Sequence, residues 1–352
     1  MASTYKEPVK ITVEMAPSFT VAALNKCLII TKEHKSEAED TKKNEVKTFS
    51  SSAEVGEYFG NNSETFKAVE FFLGQKRYPA KQPLIPDFFT VLSVDTTTVN
   101  KEAVLKALNG VLGNEFYAVC SLLTSTELAE GDLNSWLNEN RKIQFSETDK
   151  KTTSQEKRSD RLITVYNAKN SGLTKEYKAI SYMATCITPG AGSKSDMNIL
   201  NMCSADVSGG ERQELTTNNL NFTEKRTSKD YVVVRNGVGT DGTDITETTA
   251  LDCIIYNLID NLEIAMAEKG FKMDSRGVAL LEDVISKVMG EMYNLGLVAD
   301  TNGQADFKVL PIEITATDRQ LKRLRPKVQF VLGDYAKVVE LTLERTLEST
   351  LG

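Results

Sequence analysis

Gly237-Val238-Gly239-Thr240-Asp241-Gly242 has the spacing GxGxxG and follows a predicted strand, Tyr231 to Arg235. In that setting a glycine turn can cradle a pyrophosphate at a helix N-terminus. The context is wrong here. The next helical stripe begins several residues past Gly242, and the acid about 20 positions on, Asp260, falls inside a helix and not at a strand end. A plain turn is expected. Gly190-Ala191-Gly192-Ser193-Lys194-Ser195 has the residue types of a phosphate loop but not its spacing. Lys194 follows Ser193, and Ile187 stands where the first glycine should be. A Ser-His-Asp or Cys-His system needs an imidazole oriented by a buried acid. The chain has one histidine, His34, in a charged stretch that offers none, and one histidine cannot make a multi-His metal site. Carboxylates are plentiful, but no pair is marked for acid–base work. We expect no catalytic, cofactor-binding or metal-binding residues, and no enzyme.

Arg319, Lys322, Arg323, Arg325 and Lys327 form a basic cluster in a chain of net charge −7 and pI near 5.2. The plain reading is a solvated turn, and it is favoured because charge runs usually face water. The sharper reading is a docking patch for an acidic partner. The acidic balance weighs against nucleic acid and against an anionic membrane surface, but not against protein partners. The five cysteines are scattered, odd in number and set among apolar neighbours, as buried thiols are.

These residues need a scaffold, and 352 residues imply two or three compact units. No run of about 18 apolar residues is present, so no membrane-spanning helix or membrane insertion is expected. Met1 to Glu7 lacks the apolar stretch of a signal peptide. Val9, Ile11, Val13 and Met15 alternate with polar residues between Pro8 and Pro17, a half-buried strand. A strand at Leu24 to Thr31 precedes a polar loop, His34 to Thr48. Helices follow at Ser51 to Gly60 and from Ser63. From about 90 to 200 strand and helix alternate, giving an α/β layer. A polar stretch, Gly190 to Lys229, ends in a domain boundary near residue 230.

Two strong helices come next. Leu251, Ile254, Ile255, Leu258 and Leu262 form one stripe, with Thr249 and Asp252 as a capping-box start and Gly270 as the stop. Leu281, Val284, Ile285, Val288 and Met292 form another, capped by Asp274 and stopped by Gly296. Strands are expected at Phe307 to Thr315, through Val328, Phe330 and Leu332, and at Val339, Leu341 and Leu343.

The pieces YVVVRNGVGTDGTDITE, ALDCIIYNLIDNLEIAMAEKG, RGVALLEDVISKVMGEMYNLGLV and DRQLKRLRPKVQFVLGDYAKVVELTLERTLE resemble contractile tail sheath proteins of phages and phage-tail-like particles. SSAEVGEYFG and SETFKAVEFF are similar to the short-sheath branch. The resemblance covers most of the chain loosely and the part after Tyr231 well. It implies an α+β, multi-domain fold. Residues 1–20 form an N-terminal arm strand, 21–230 an outward α/β domain, 231–335 the sheath core of a β-sheet with two helices, and 336–352 a C-terminal arm strand.

The resemblance also implies stacked hexameric rings of this chain around an inner tail tube, with baseplate and terminator proteins as further partners. Such a sheath is part of a virion tail assembled in the host cytoplasm, and its contraction drives the tube through a cell envelope. A terminal strand can complete its own sheet or add to a neighbour's. Pattern alone leaves the two equal, and the family favours donation by Val9, Ile11, Val13, Met15, Val339, Leu341 and Leu343. The tube-facing candidates are Glu282, Asp283, Lys287 and Glu291 on the second helix, or the cluster at Arg319, Lys322 and Arg323. The rival readings are a nucleotide-binding α/β enzyme, a tube or capsid subunit, and the sheath of a bacteriocin or secretion-type system.

Overall fold

The computed structural model describes residues 24–35, 44–77, 82–83, 88–94, 101–113, 116–123, 130–152, 158–168, 175–207, 210–226 and 231–335. The chain enters on β1 (Cys27–Thr31), buried along its whole length. Such a continuous apolar run suits the middle of a sheet covered on both faces. β2 (Glu45–Phe49) leads into α1 (Ser52–Phe59) and α2 (Glu64–Leu73), started by the Ser51 and Ser63 hydroxyls. β3 (Lys76–Arg77) and β4 (Gln82–Pro83) make a short ribbon. β5 (Phe89–Ser93), α3 (Lys101–Gly110), β6 (Ala118–Ser121), α4 (Glu130–Glu139), β7 (Ile143–Thr148), β8 (Leu162–Tyr166) and α5 (Lys178–Ile187) complete the first unit.

Its sheet runs in the order β2-β5-β1-β6-β7-β8, with β2 antiparallel and the rest parallel. Alternation along each strand sorts the core into two layers. Cys27, Ile29, Val91, Cys120 and Phe145 face α1, α2 and α5. Leu28, Ile30, Leu92 and Val119 face α3 and α4 with Trp136. The parallel strands follow a doubly wound order, with the crossover direction reversing between β1 and β6.

α6 (Arg212–Thr217) precedes β9 (Phe222–Arg226), which pairs antiparallel with β10 (Tyr231–Arg235). α7 (Ile245–Glu268) and α8 (Ser275–Asn294) form a helical hairpin. β11 (Asp300–Thr301) and β12 (Gln304–Ala305) form a tight ribbon. β13 (Phe307–Leu310), α9 (Ala316–Leu321) and β14 (Lys327–Phe330) close the described chain. Ile254, Leu258, Leu281, Ile285, Val288 and Met292 build a third core, onto which Phe307, Val309, Val328 and Phe330 lay a partly buried face.

Three expectations change. The polar stretch before Thr48 contains β2, an edge strand whose Glu45 and Lys47 suit a solvated edge. The strand expected to reach Thr315 stops at Leu310, because Thr315 and Asp318 form a capping box that starts α9. α7 begins six residues before Leu251, with Asp244 as its cap, so Thr249 and Asp252 lie inside the helix. Val9, Ile11, Val13, Met15, Val339, Leu341 and Leu343 lie outside the described residues.

Candidate functional site

Four amides of the glycine turn after β10 are already bonded within the chain. Val238 N–H donates to Asn221 Oδ1 and Thr240 N–H to the Leu162 carbonyl, at 3.0 and 2.9 Å. Gly239 and Gly242 N–H bond within the turn. A Cβ on Gly239 would stand 2.8 Å from the Ser159 carbonyl oxygen and 2.9 Å from Asp160 Cα, so glycine is there to let backbone approach backbone. The loop at 190–195 is tied to the same place. Gly192 N–H donates to Thr249 Oγ1, and the Ser195 hydroxyl bridges the Gly237 carbonyl and Asp244. Both motifs are structural turns.

A doubly wound sheet holds ligands beyond the C-terminal ends of its strands, where helix N-termini favour anions. Two helix starts at that edge are taken by the chain's own carboxylates. Glu33, just past β1, accepts from Glu64 N–H and Thr65 N–H, each at 2.8 Å, at the start of α2. Glu147, on β7, accepts from Ala179 N–H at 2.9 Å at the start of α5, and burial raises its pKa. His34 lies beside them with Nε2 3.0 Å from the Val94 carbonyl oxygen, a structural hydrogen bond. Nothing in this arrangement supports the nucleotide-binding reading.

The opposite edge carries a buried charge cluster. Tyr117, Arg141 and Arg161 stand just before β6, β7 and β8, three neighbouring parallel strands, and all three point at Asp252 of α7. Oδ1 of Asp252 accepts from Arg141 at 3.1 Å and Arg161 at 2.8 Å, and Oδ2 from Arg161 at 2.6 Å and Tyr117 at 2.8 Å. Asp252 is 0% exposed. Burial, and then the Asp252 charge, push the Tyr117 hydroxyl pKa well up. Buried Lys142 donates to the Phe116 carbonyl, and burial pushes its pKa down to about 8. Sequence reading missed this node because Thr249-x-x-Asp252 has the look of a cap.

The basic cluster is largely used inside the chain. Arg323 and Arg325 reach Asp318 at 2.9 and 2.8 Å, and Arg319 donates to the Met273 carbonyl at 2.7 Å. The Thr315 hydroxyl, then Arg325 and Arg323, hold the Asp318 carboxyl well below its usual range. Lys322 is exposed, in a left-handed turn (φ 49°) that ends α9. On α8, Asp283, Lys287 and Glu291 are exposed and Glu282 is half-buried; Lys287 and Glu291 are 4.0 Å apart. The helix face and Lys322 are thus separate candidates.

β13 and β14 form a ribbon of two strands among the described residues. An isolated two-stranded ribbon is marginal in water, and the edges of a sheet are where a further strand can add.

No family model and no curated protein matches the sequence. Solved structures do match. A chain of the anti-feeding prophage helical sheath in its contracted state aligns at TM-score 0.71 and 13% identity, over 98% of this chain and 100% of that one. The chain has the sheath fold. A chain of the anti-feeding prophage baseplate aligns at TM-score 0.71 and 12% identity, over 99% of each. The sheath complex of the extracellular contractile injection system PVC, in its contracted state, aligns at 0.64 and 9%, over 99% of each. The sheath fold therefore accounts for the first unit as well as the helical hairpin and its ribbon. Among the described residues no helix is long and apolar enough to cross a membrane.

Proposed function

We propose that this chain is the structural subunit of a contractile sheath, in a phage tail or a related injection particle, and not an enzyme. It polymerises as stacked rings around an inner tube, meets a baseplate at one end and a terminator at the other, and contracts to drive the tube through a cell envelope. The carrying observation is the sheath fold, matched over nearly the whole of this chain and of the contracted sheath chain. The self-filled helix N-termini at Glu33 and Glu147 support the non-enzymatic reading.

In this reading residues 231–335 are the core that lines the tube, 21–230 face outward, and 1–20 and 336–352 are arms. The β13–β14 ribbon, with Phe307, Val309, Val328 and Phe330 only partly buried, is the acceptor for arm strands of neighbouring copies. Asp283, Lys287 and Glu291, with Glu282 beside them, are the tube-facing charges, and Lys322 is the alternative. Exposed charges give contacts weak enough to release.

Negative-stain electron microscopy of the purified chain, with and without residues 1–16, tests the assembly. Regular tubes that vanish on truncation are expected. Uniform small particles in both samples at high concentration would defeat the proposal.

A further inference from the structure

Two apolar layers flank the sheet, and a third core fills the space between α7, α8 and the ribbon; Ile245, in the first turn of α7, belongs to the sheet's core, and Leu24 touches both. Two turns further along α7, the Asp252 node is a polar joint between them, beside the hydrogen bonds that tie the 190–195 loop to Thr249 and Asp244. Neighbouring strands lie about 4.8 Å apart, so three strand starts span about 10 Å and one carboxylate can serve all three. Four donors meet its two oxygens, including the two-pronged fork of Arg161. Arg141 holds φ at 46° where α4 ends, with Arg141 N–H on the Asn138 carbonyl and Lys142 N–H on the Leu137 carbonyl. Glycine or asparagine is the ordinary residue at such a helix end. An arginine there is explained by what its side chain reaches. Asp252 is the acceptor for both buried guanidiniums, with Lys142 close by. Asp160 is the other carboxylate whose charge acts on Arg161.

We propose that Asp252 is a latch that fixes how the α7–α8 hairpin sits on the sheet, so that the two units move as one body. Hydrogen bonds and fork geometry are directional where apolar packing is not. The latch therefore sets an angle as well as adding stability, and load on the hairpin passes to the α/β unit through it. Without the carboxylate, Arg141 and Arg161 lose the acceptor they share in the interior, and the joint loosens while the layers flanking the sheet and the core between α7 and α8 persist. The inference does not depend on the sheath reading and concerns the single chain.

Amide hydrogen exchange on the full chain tests it, comparing wild type with Asp252→Asn. The expected result is about 100-fold faster exchange in α7 and α8, with β1, β5 and β6 much less affected. Equal acceleration of helices and sheet, or none, would overturn the proposal. Should Asp252→Asn fail to fold, Tyr117→Phe removes one donor of the four. It should speed exchange in α7 and α8 selectively, by about 10-fold. Uniform acceleration, or no change, in Tyr117→Phe would overturn the proposal equally.

Discussion

The chain builds the same small device twice, once across the fold and once within a single turn. Asp252 takes two arginines and the hydroxyl of Tyr117, and Asp318 takes two arginines and the hydroxyl of Thr315. The first set joins residues 91 to 135 positions apart and is buried on every side. The second joins residues three to seven apart; its carboxylate is covered too, but the arginine side chains that reach it are 46% and 55% exposed. The chemistry is shared, and the environment decides its weight. In the interior a broken pair leaves charge stranded in low dielectric, whereas at the surface water replaces the partner. The first device therefore holds two units together, and the second shapes one turn.

The largest expected break of this symmetry is Asp252→Ala, which should lower unfolding free energy by about 3–5 kcal/mol, read by urea titration. Next is Lys142, whose proton the fold disfavours: its pKa falls from 10.5 to about 8. The unfolded chain holds that proton between those two values and the native chain does not, so stability should rise with pH across that window, by up to ~3 kcal/mol. Lys142→Met should remove this rise and increase stability at pH 7.

Asp318→Asn should destabilise less than Asp252→Ala. The folded carboxyl is held below its ordinary 3.8. Its contribution is therefore complete above that value and lost as pH falls through the region beneath it. Melting of wild type and variant at pH 7 and pH 3 should show the gap narrowing at low pH. The smallest stability effect is expected from Lys287→Glu with Glu291→Lys, within about 0.5 kcal/mol. The same double reversal should weaken tube binding in a co-sedimentation assay. Unchanged binding would remove the α8 face from the tube contact.

Local chemistry was legible in the sequence and distant chemistry was not. Ser51, Ser63 and Asp274 announce helix starts because a cap acts within three residues, and all three cap as expected. The buried run of β1 and the stripe of α8 were equally plain, since their periods are fixed by backbone geometry. Asp252 was misread because its partners are about a hundred residues away. β2 was hidden by charges that suit an edge strand, and α9 by a run that reads as strand until Thr315 caps it. Glu33 and Glu147 gave no local sign, because each caps a helix from a different part of the chain. The basic cluster is partly a folding device, with Arg323 and Arg325 on Asp318 and Arg319 on Met273, a pairing that charge counting does not show.

The most direct measurement is a cryo-electron-microscopy helical reconstruction of the assembled full-length chain. The sheath account predicts rings in which strands from neighbouring copies lie beside β13 or β14 and the α7–α8 hairpin lines a central bore. A regular assembly in which the ribbon edges meet only solvent, and the hairpin faces outward, would contradict it.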